Sequence, residues 1–400
     1  MGKLVILDPG NEGAATPFLR GILTRSLRNS GIDFEAAYAL ASKIKEALED
    51  QESLTTTELR TAVIEQLAAA SFSSEIIEQY SDPSPIRGTI MVSDKKRDTI
   101  TPFSLHQHTR CMHASGLSSR SATLITTELF QQLHSQNITE IDSNALGRLT
   151  CTILRTNVGE QAVHRYLTWT HFSHSGKPIH ILIGGATGSG KSTIATEIAH
   201  RFGIVRTQST DMLREVMRVM IPEALLPTLH TSSFNAWQVQ PRARDLVGTA
   251  PTSDEIISGY LIQAKEVSVS SNAIIQRASR ENVSLVLEGI HNHPARMREV
   301  TQYSDGLVVP LMLAIIKRND LRKRLTGRGA DAQNRGAKRY LKNFDTLWKL
   351  QNFLLDEADQ QNIPIIHNGR QEETIKQVML AINDALTPKF SITEETLFPA

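Results

Sequence analysis

The residues Gly185-Ala186-Thr187-Gly188-Ser189-Gly190-Lys191-Ser192, with Thr193 following, fit the pattern G-x-x-x-x-G-K-[ST]. Glycines at this spacing let the backbone turn so that successive N–H groups point into one concavity. A helix opening at Lys191 adds the positive end of its dipole. Lys191 is then expected to reach the terminal phosphates of ATP, and the Ser192 hydroxyl to ligate Mg²⁺. A tight glycine turn without nucleotide is the competing reading. It is the weaker one, because a β-branched run precedes the motif and a helical pattern follows it.

Such a loop serves kinases, GTPases, transport ATPases and helicases alike. The chain has no N-K-x-D guanine signature, and its 43 basic and 42 acidic residues sum to a net charge of +1. That balance lacks the basic stripe of a helicase. Other segments point to a small-molecule kinase. Asp211, in Ser209-Thr210-Asp211, stands where a second strand would end, with Arg214 and Arg218 one and two helical turns on. Asp211 could take or orient the proton of a substrate hydroxyl, and Arg214 could clamp an anion. An N-cap and a solvated helix face would use the same residues. Glu288 closes a strand in the place where a carboxylate holds Mg²⁺ or positions the acceptor; a carboxylate there can also simply cap a loop. Arg322, Lys323, Arg324, Arg328, Arg335, Lys338 and Arg339 crowd around TGRGADAQNRG. This reads as a lid whose arginines close over transferring phosphates, against the plainer reading of a basic surface loop. His291 and His293 lack a nearby third ligand for a metal, so substrate contact or an ordinary loop role is expected.

These groups need a scaffold. Ile179–Ile183, Leu285–Leu287, Leu307–Ile316 and Ile363–Ile366 read as strands. Thr252 and Glu255 form a capping-box signature at the head of a long helix, and residues 343–359 and 372–386 are helical by periodicity. Strands alternating with helices predict a parallel sheet covered on both faces over residues 176–400.

Upstream lies a repeat at an offset of 85. Thr16, Pro17, Phe18, Thr24, Arg25 and Gly31 recur as Thr101, Pro102, Phe103, Thr109, Arg110 and Gly116. Each copy predicts a short strand, a turn and three helices, giving modules at 1–87 and 88–175. The 400 residues thus hold three units of two kinds. Two cysteines, Cys111 and Cys151, exclude a disulfide framework, and no apolar stretch has the length of a membrane span. The reading is a soluble cytoplasmic protein without nucleic-acid or membrane partners, and a homo-oligomer remains open.

GGATGSGKSTIATEIAHRFGI, STDMLREVMR, PTLHTSSFNAW, LEGIH, the Arg339-Tyr340 pair and IPIIHN resemble the 2-phosphoglycerate kinase family from Lys177 to the C-terminus. The resemblance implies a P-loop fold of the nucleoside-monophosphate-kinase kind. It also implies phosphorylation of the 3-hydroxyl of 2-phosphoglycerate by ATP to give 2,3-bisphosphoglycerate. His230, Ser232 and Ser233 would then complete the acceptor site with Arg214, Arg218, His291 and Arg335. A kinase for another phosphorylated acid or polyol, such as an inositol phosphate, would use similar chemistry; a nucleotide-sensing regulator is the second alternative. Pro17-Phe18-x-Arg20-Gly21-Ile22-Leu23 is similar to the ATP-cone, a regulatory nucleotide-binding module. The second copy has Ser104-Leu-His-Gln-His108 instead and lacks the Arg-Gly pair, which implies a structural role.

Overall fold

The repeat at offset 85 folds twice into one order of elements. The computed structural model describes residues 4–8, 14–29, 32–48, 51, 53–70, 72–81, 90–241, 248–303, 306–331 and 336–399. In the first copy, β1 (Val5–Asp8) and β2 (Ala14–Pro17) form an antiparallel hairpin. Helices α1 (Arg20–Asn29) and α2 (Phe34–Ala47) follow. Strand β3 (Ser53–Thr55) then pairs parallel with β1, and α3 (Thr56–Ala69) and α4 (Ser74–Ser81) close the copy. The second copy repeats this as β4 (Met91–Asp94), β5 (Thr99–Pro102), α5 (Leu105–Ala114), α6 (Ser119–Ser135), β6 (Glu140–Asp142), α7 (Ser143–Asn157) and α8 (Glu160–His174). Ile6 lies opposite Thr16 and Leu54; Val92 lies opposite Thr101 and Ile141, the same register.

Among the described residues each copy therefore has three strands and four helices, where the sequence predicts one strand and three helices. The extra strands are only three or four residues long. Ala14-Ala-Thr-Pro17 and Glu140-Ile-Asp142 carry almost no alternating β-branched signal. Caps mark the helix starts more clearly. Thr55 and Glu58 make a reciprocal capping box on α3, and Asp33, Ser118 and Asp142 cap α2, α6 and α7.

Two compact units result, Met1–Thr89 and Ile90–Ala400. The first is built around Leu27, Ile44, Val63 and Leu67, all with 1% exposure or less. The boundary expected at 175/176 falls inside the second unit, because the end of the chain packs into the second copy's core.

The remaining elements of that unit run in chain order. They are β7 (Ile179–Gly184), α9 (Lys191–Phe202), β8 (Arg206–Ser209), α10 (Thr210–Met220), α11 (Ser253–Arg280), β9 (Leu285–Glu288), α12 (Pro294–Tyr303), β10 (Leu307–Ala314), α13 (Arg318–Asp331), α14 (Gly336–Lys342), α15 (Phe344–Gln360), β11 (Ile365–His367), α16 (Gln371–Phe390) and α17 (Glu394–Leu397). Leu397 and Phe398 sit among Met112, Leu154 and Tyr166. Arg148 donates to the Phe398 carbonyl at 3.0 Å, and Asn383 on α16 donates to the Ala114 carbonyl at 2.7 Å. A chain beginning at Ile90 is expected to melt cooperatively, whereas one beginning at residue 176 strips the cover from Leu397, Phe398 and Phe390 and is expected to aggregate. Calorimetry of the two truncations checks this.

The sheet of this unit is parallel throughout, in the order β11-β10-β7-β9-β8. Its first strand is central. Ile181 and Ile183 point to one face, against Ile194 and Ile198 of α9 and Val378 and Ile382 of α16. Leu182 points to the other, with Tyr260 of α11, Met297 of α12 and Leu354 of α15. Both faces are covered, as the sequence predicts. Pro310 interrupts nothing inside β10: Met312 donates toward β11 from the Pro310 edge, and β11 pairs only from Met312 onward, so the missing N–H has no partner to lose. Among the described residues no helix is long and apolar enough to cross a membrane.

Candidate active site

From β7 the chain runs to β8 and then to β9 on one side of that strand, and then crosses to β10 and β11 on the other. A crevice at the carboxyl ends of the strands follows from that switch. The glycine loop fills its floor. Gly190 has φ 86°, and a Cβ there would lie 2.3 Å from Nδ2 of Asn368. Asn368, in the loop after β11, donates from that nitrogen to the Ser189 carbonyl at 2.7 Å and so braces the loop. Lys191 is buried, and its Nζ donates to the Ala186 carbonyl at 3.0 Å. Ser192 Oγ donates to Oε1 of Glu288, at the end of the neighbouring strand, at 3.0 Å.

Above this floor opens a cleft of about 290 Å³. Thr187, Gly188, Lys191, Ser192 and Glu288 line one side; Asp211, Arg214, Ser232, Ser233, Phe234, Arg339 and Tyr340 line the rest. Three cations and two carboxylates thus face one space, as an anionic ligand with Mg²⁺ requires. Among the described residues no cluster of three or more His, Cys, Asp or Glu side chains could hold a metal by itself. Ser192 and Glu288 offer two hard oxygen donors, which suits Mg²⁺, an ion that takes its other ligands from phosphates and water.

Asp211 opens α10, where Ser209 caps the helix. Its carboxylate is 60% exposed and accepts no hydrogen bond from the described residues. Arg214, one turn on, donates from Nη1 to the carbonyls of Leu229 (2.9 Å) and Thr231 (2.6 Å), which pins the segment carrying Ser232 and Ser233. Arg339 reaches across from α14, donating to Ser232 Oγ and lying 5.5 Å from the Phe234 ring centre. It belongs to the basic run of the sequence, and the Arg339-Tyr340 pair is one of the segments that carry the family resemblance.

Several expected residues sit elsewhere. Arg218 pairs with Glu215 on the outside of α10. His230 donates from Nε2 to the Ile221 carbonyl at 2.9 Å, a turn-closing bond. His291 does not touch the cleft but is buried beneath Asp211 and Ser233. Arg324 lies at the loop's edge, donating to the carbonyls of Asn368 (2.6 Å) and Gly369 (3.0 Å), and burial lowers its pKa. Arg322 stacks on Phe344 instead. Arg335 lies outside the described residues. Arg328 falls within α13, but its side chain lies outside them too. The lid segment is helical through Asp331 rather than a loop.

Burial dominates the electrostatics below the cleft. It pushes His291 and His293 down to about 4, and does the same to His108 in the second copy. Arg214 and Lys191 push His291 the same way, against Asp211. The folded protein keeps these rings neutral, while the unfolded chain protonates them near 6.5. The unfolded state therefore binds more protons as pH falls. Stability from these groups is complete above about pH 6.5 and is lost toward pH 4. Melting temperatures between pH 7 and pH 4 are expected to fall with that profile; a flat profile would contradict it. Burial likewise pushes Cys111 and Cys151 up to about 12, which leaves both as inert thiols.

The sequence is similar to several known proteins. The family model for the Zeta toxin matches residues 164–253, which include the glycine loop and Asp211. The 2-phosphoglycerate kinase of Methanopyrus kandleri is 33% identical over 294 residues, 73% of this chain and 87% of the relative. That of Pyrococcus horikoshii is 35% identical over 290 residues, 72% of this chain and 92% of the relative. Either span is longer than the stretch from Lys177 to the C-terminus, so the likeness reaches into the second copy of the repeat. Among solved structures, shikimate kinase from Acinetobacter baumannii in complex with shikimate aligns at TM-score 0.30 and 13% identity, over 54% of this chain and 97% of that one.

Proposed function

The chain belongs to the 2-phosphoglycerate kinase family and is an ATP-dependent phosphotransferase, and from that premise we propose that its acceptor is 2-phosphoglycerate, phosphorylated at the 3-hydroxyl to 2,3-bisphosphoglycerate. The observation that carries the reading is the two-sided cleft. Phosphate-binding Lys191 and the Mg²⁺-binding pair Ser192 and Glu288 face anion-binding and proton-accepting groups, Arg214, Arg339 and Asp211.

The acceptor carries a phosphate, a carboxylate and a primary hydroxyl. Arg214 keeps guanidinium donors beyond the Nη1 that holds the backbone, and Arg339 brings a second fork from the opposite wall. Ser232 and Ser233 add hydroxyls between them. Two anionic groups held this way leave the 3-hydroxyl to approach Asp211. Its oxygen attacks the γ-phosphorus, the bond to the β-bridging oxygen breaks, ADP leaves with that electron pair, and the hydroxyl proton passes to Asp211. The backbone N–H groups of residues 185–193 and the Lys191 ammonium face the charge that accumulates on the phosphates. Ser192 and Glu288 would hold Mg²⁺, which when bound would neutralise negative charge on the phosphates.

Residues 1–87, 88–175 and 176–400 are read as two copies of one module followed by the kinase. The shared strand register of the two copies supports the duplication. The acceptor is tested by ADP release from ATP with 2-phosphoglycerate, inositol phosphates and nucleoside monophosphates compared side by side. Turnover is expected with 2-phosphoglycerate. Turnover with another acceptor and none with 2-phosphoglycerate would overturn the assignment.

A further inference from the structure

His291 lies between three elements that are far apart in sequence. Its Nδ1 is 3.0 Å from Thr210 Oγ1 and 3.6 Å from Asp211 Oδ1, both at the start of α10. Its Nε2 is 3.1 Å from Oε1 of Gln263 on α11 and 3.1 Å from Ser233 Oγ. Gln263 is fully buried, and its amide nitrogen donates to two carbonyls, those of Thr228 and, at 3.2 Å, Thr231. A carbonyl only accepts, so the amide cannot be turned round without losing both bonds. Oε1 is thereby fixed toward His291, and an amide oxygen also only accepts. The ring must carry its proton on Nε2. In a neutral imidazole the other nitrogen is then bare.

We infer that Gln263 is a positioning residue for phosphoryl transfer: by fixing His291 in the Nε2–H tautomer it sets an acceptor, rather than a donor, beside the Asp211 carboxylate. The inference rests on the reading of Asp211 as the base. With Nδ1 bare, Thr210 turns its hydroxyl proton toward the ring and not toward Asp211. The carboxylate is left for the substrate hydroxyl. In the opposite tautomer Nδ1–H would donate to Asp211, stabilise its ionised form and make it a weaker base toward the substrate hydroxyl.

The arrangement is tightly built. Gly289, at φ 153°, follows Glu288, and a Cβ on it would fall 1.7 Å from Thr210 Oγ1, so the absence of a side chain there makes room for the Thr210–His291 contact. The Thr231 carbonyl accepts from both Gln263 and Arg214. The arginine that faces the acceptor and the glutamine that sets the tautomer therefore hold one segment of backbone between them.

The test uses the full-length protein with ¹⁵N-labelled histidine, the His291 signal being assigned by its loss in His291→Asn. The parent is expected to show His291 protonated at Nε2. Gln263→Met removes the acceptor at nearly constant volume. It is expected to move His291 toward the Nδ1–H form and to lower kcat about tenfold or more, with KM for ATP unchanged. Gln263→Glu, as a buried acid, can donate to one carbonyl and still accept from Nε2–H. It is expected to keep the parent tautomer and restore kcat to within about threefold, and it serves where the methionine variant does not fold. A parent already protonated at Nδ1 would overturn the inference. So would a methionine variant whose kcat falls without a tautomer change, or whose tautomer changes without a fall in kcat. Full activity in Asp211→Asn would remove the base and leave the tautomer measurement standing, so the two readings fail separately.

Discussion

Lys191→Ala is expected to lower kcat/KM by about 10²–10³-fold or more while the protein stays folded, with its melting temperature within about 4 °C of the parent. The side chain sits in the loop that the central strand feeds, and its Nζ hydrogen-bonds the loop's own Ala186 carbonyl. Its ammonium is the positive charge nearest the floor of the cleft, so its removal leaves charge on the transferring phosphoryl group uncompensated. Asn368 still braces the loop through Ser189, so the backbone donors keep their place. Initial rates with ATP and 2-phosphoglycerate, together with calorimetry, check both halves. Near-parent activity would mean that phosphates are not bound on this floor.

Asp211→Asn is expected to lower kcat by about 10²–10⁴-fold with little change in ATP affinity. The carboxylate is open to the cleft, lies on the acceptor side and touches neither Ser192 nor the glycine loop. Asparagine keeps the shape and removes the proton acceptor. An equal loss of ATP affinity, measured by calorimetric titration, would instead make Asp211 a metal-binding or structural residue.

What the sequence makes legible is what is contiguous. The glycine loop, the strand before it and the helix after it occupy one stretch of chain, and residue order alone dictates their geometry. Asp211 and Glu288 are readable because the ends of parallel strands converge at one edge of the sheet. The acceptor side is less readable. Arg214, Arg218 and His230 have suitable chemistry, yet only Arg214 enters the cleft; Arg218 and His230 find partners on their own surface, Glu215 and the Ile221 carbonyl. Arg339 is singled out from the basic run only by the resemblance of its Arg-Tyr pair; its contact with Ser232 depends on where α14 packs. The Gln263–His291–Thr210 contact joins residues up to 81 apart, and no local pattern announces it. In the repeats the caps and buried periodicity reveal helices, but strands of three or four residues with almost no β-branched alternation acquire their identity only by pairing. The fusion of the second copy to the kinase is likewise tertiary, resting on Leu397 and Phe398 at the far end of the chain.

The identity of the product decides whether 2-phosphoglycerate is the acceptor. Purified protein, MgATP and 2-phosphoglycerate are incubated and followed by ³¹P NMR. ADP is expected together with a glycerate bearing phosphates on adjacent carbons, 2,3-bisphosphoglycerate, in equal amounts. ADP with only inorganic phosphate, or no ADP at all while another phosphorylated acceptor is consumed, would contradict it.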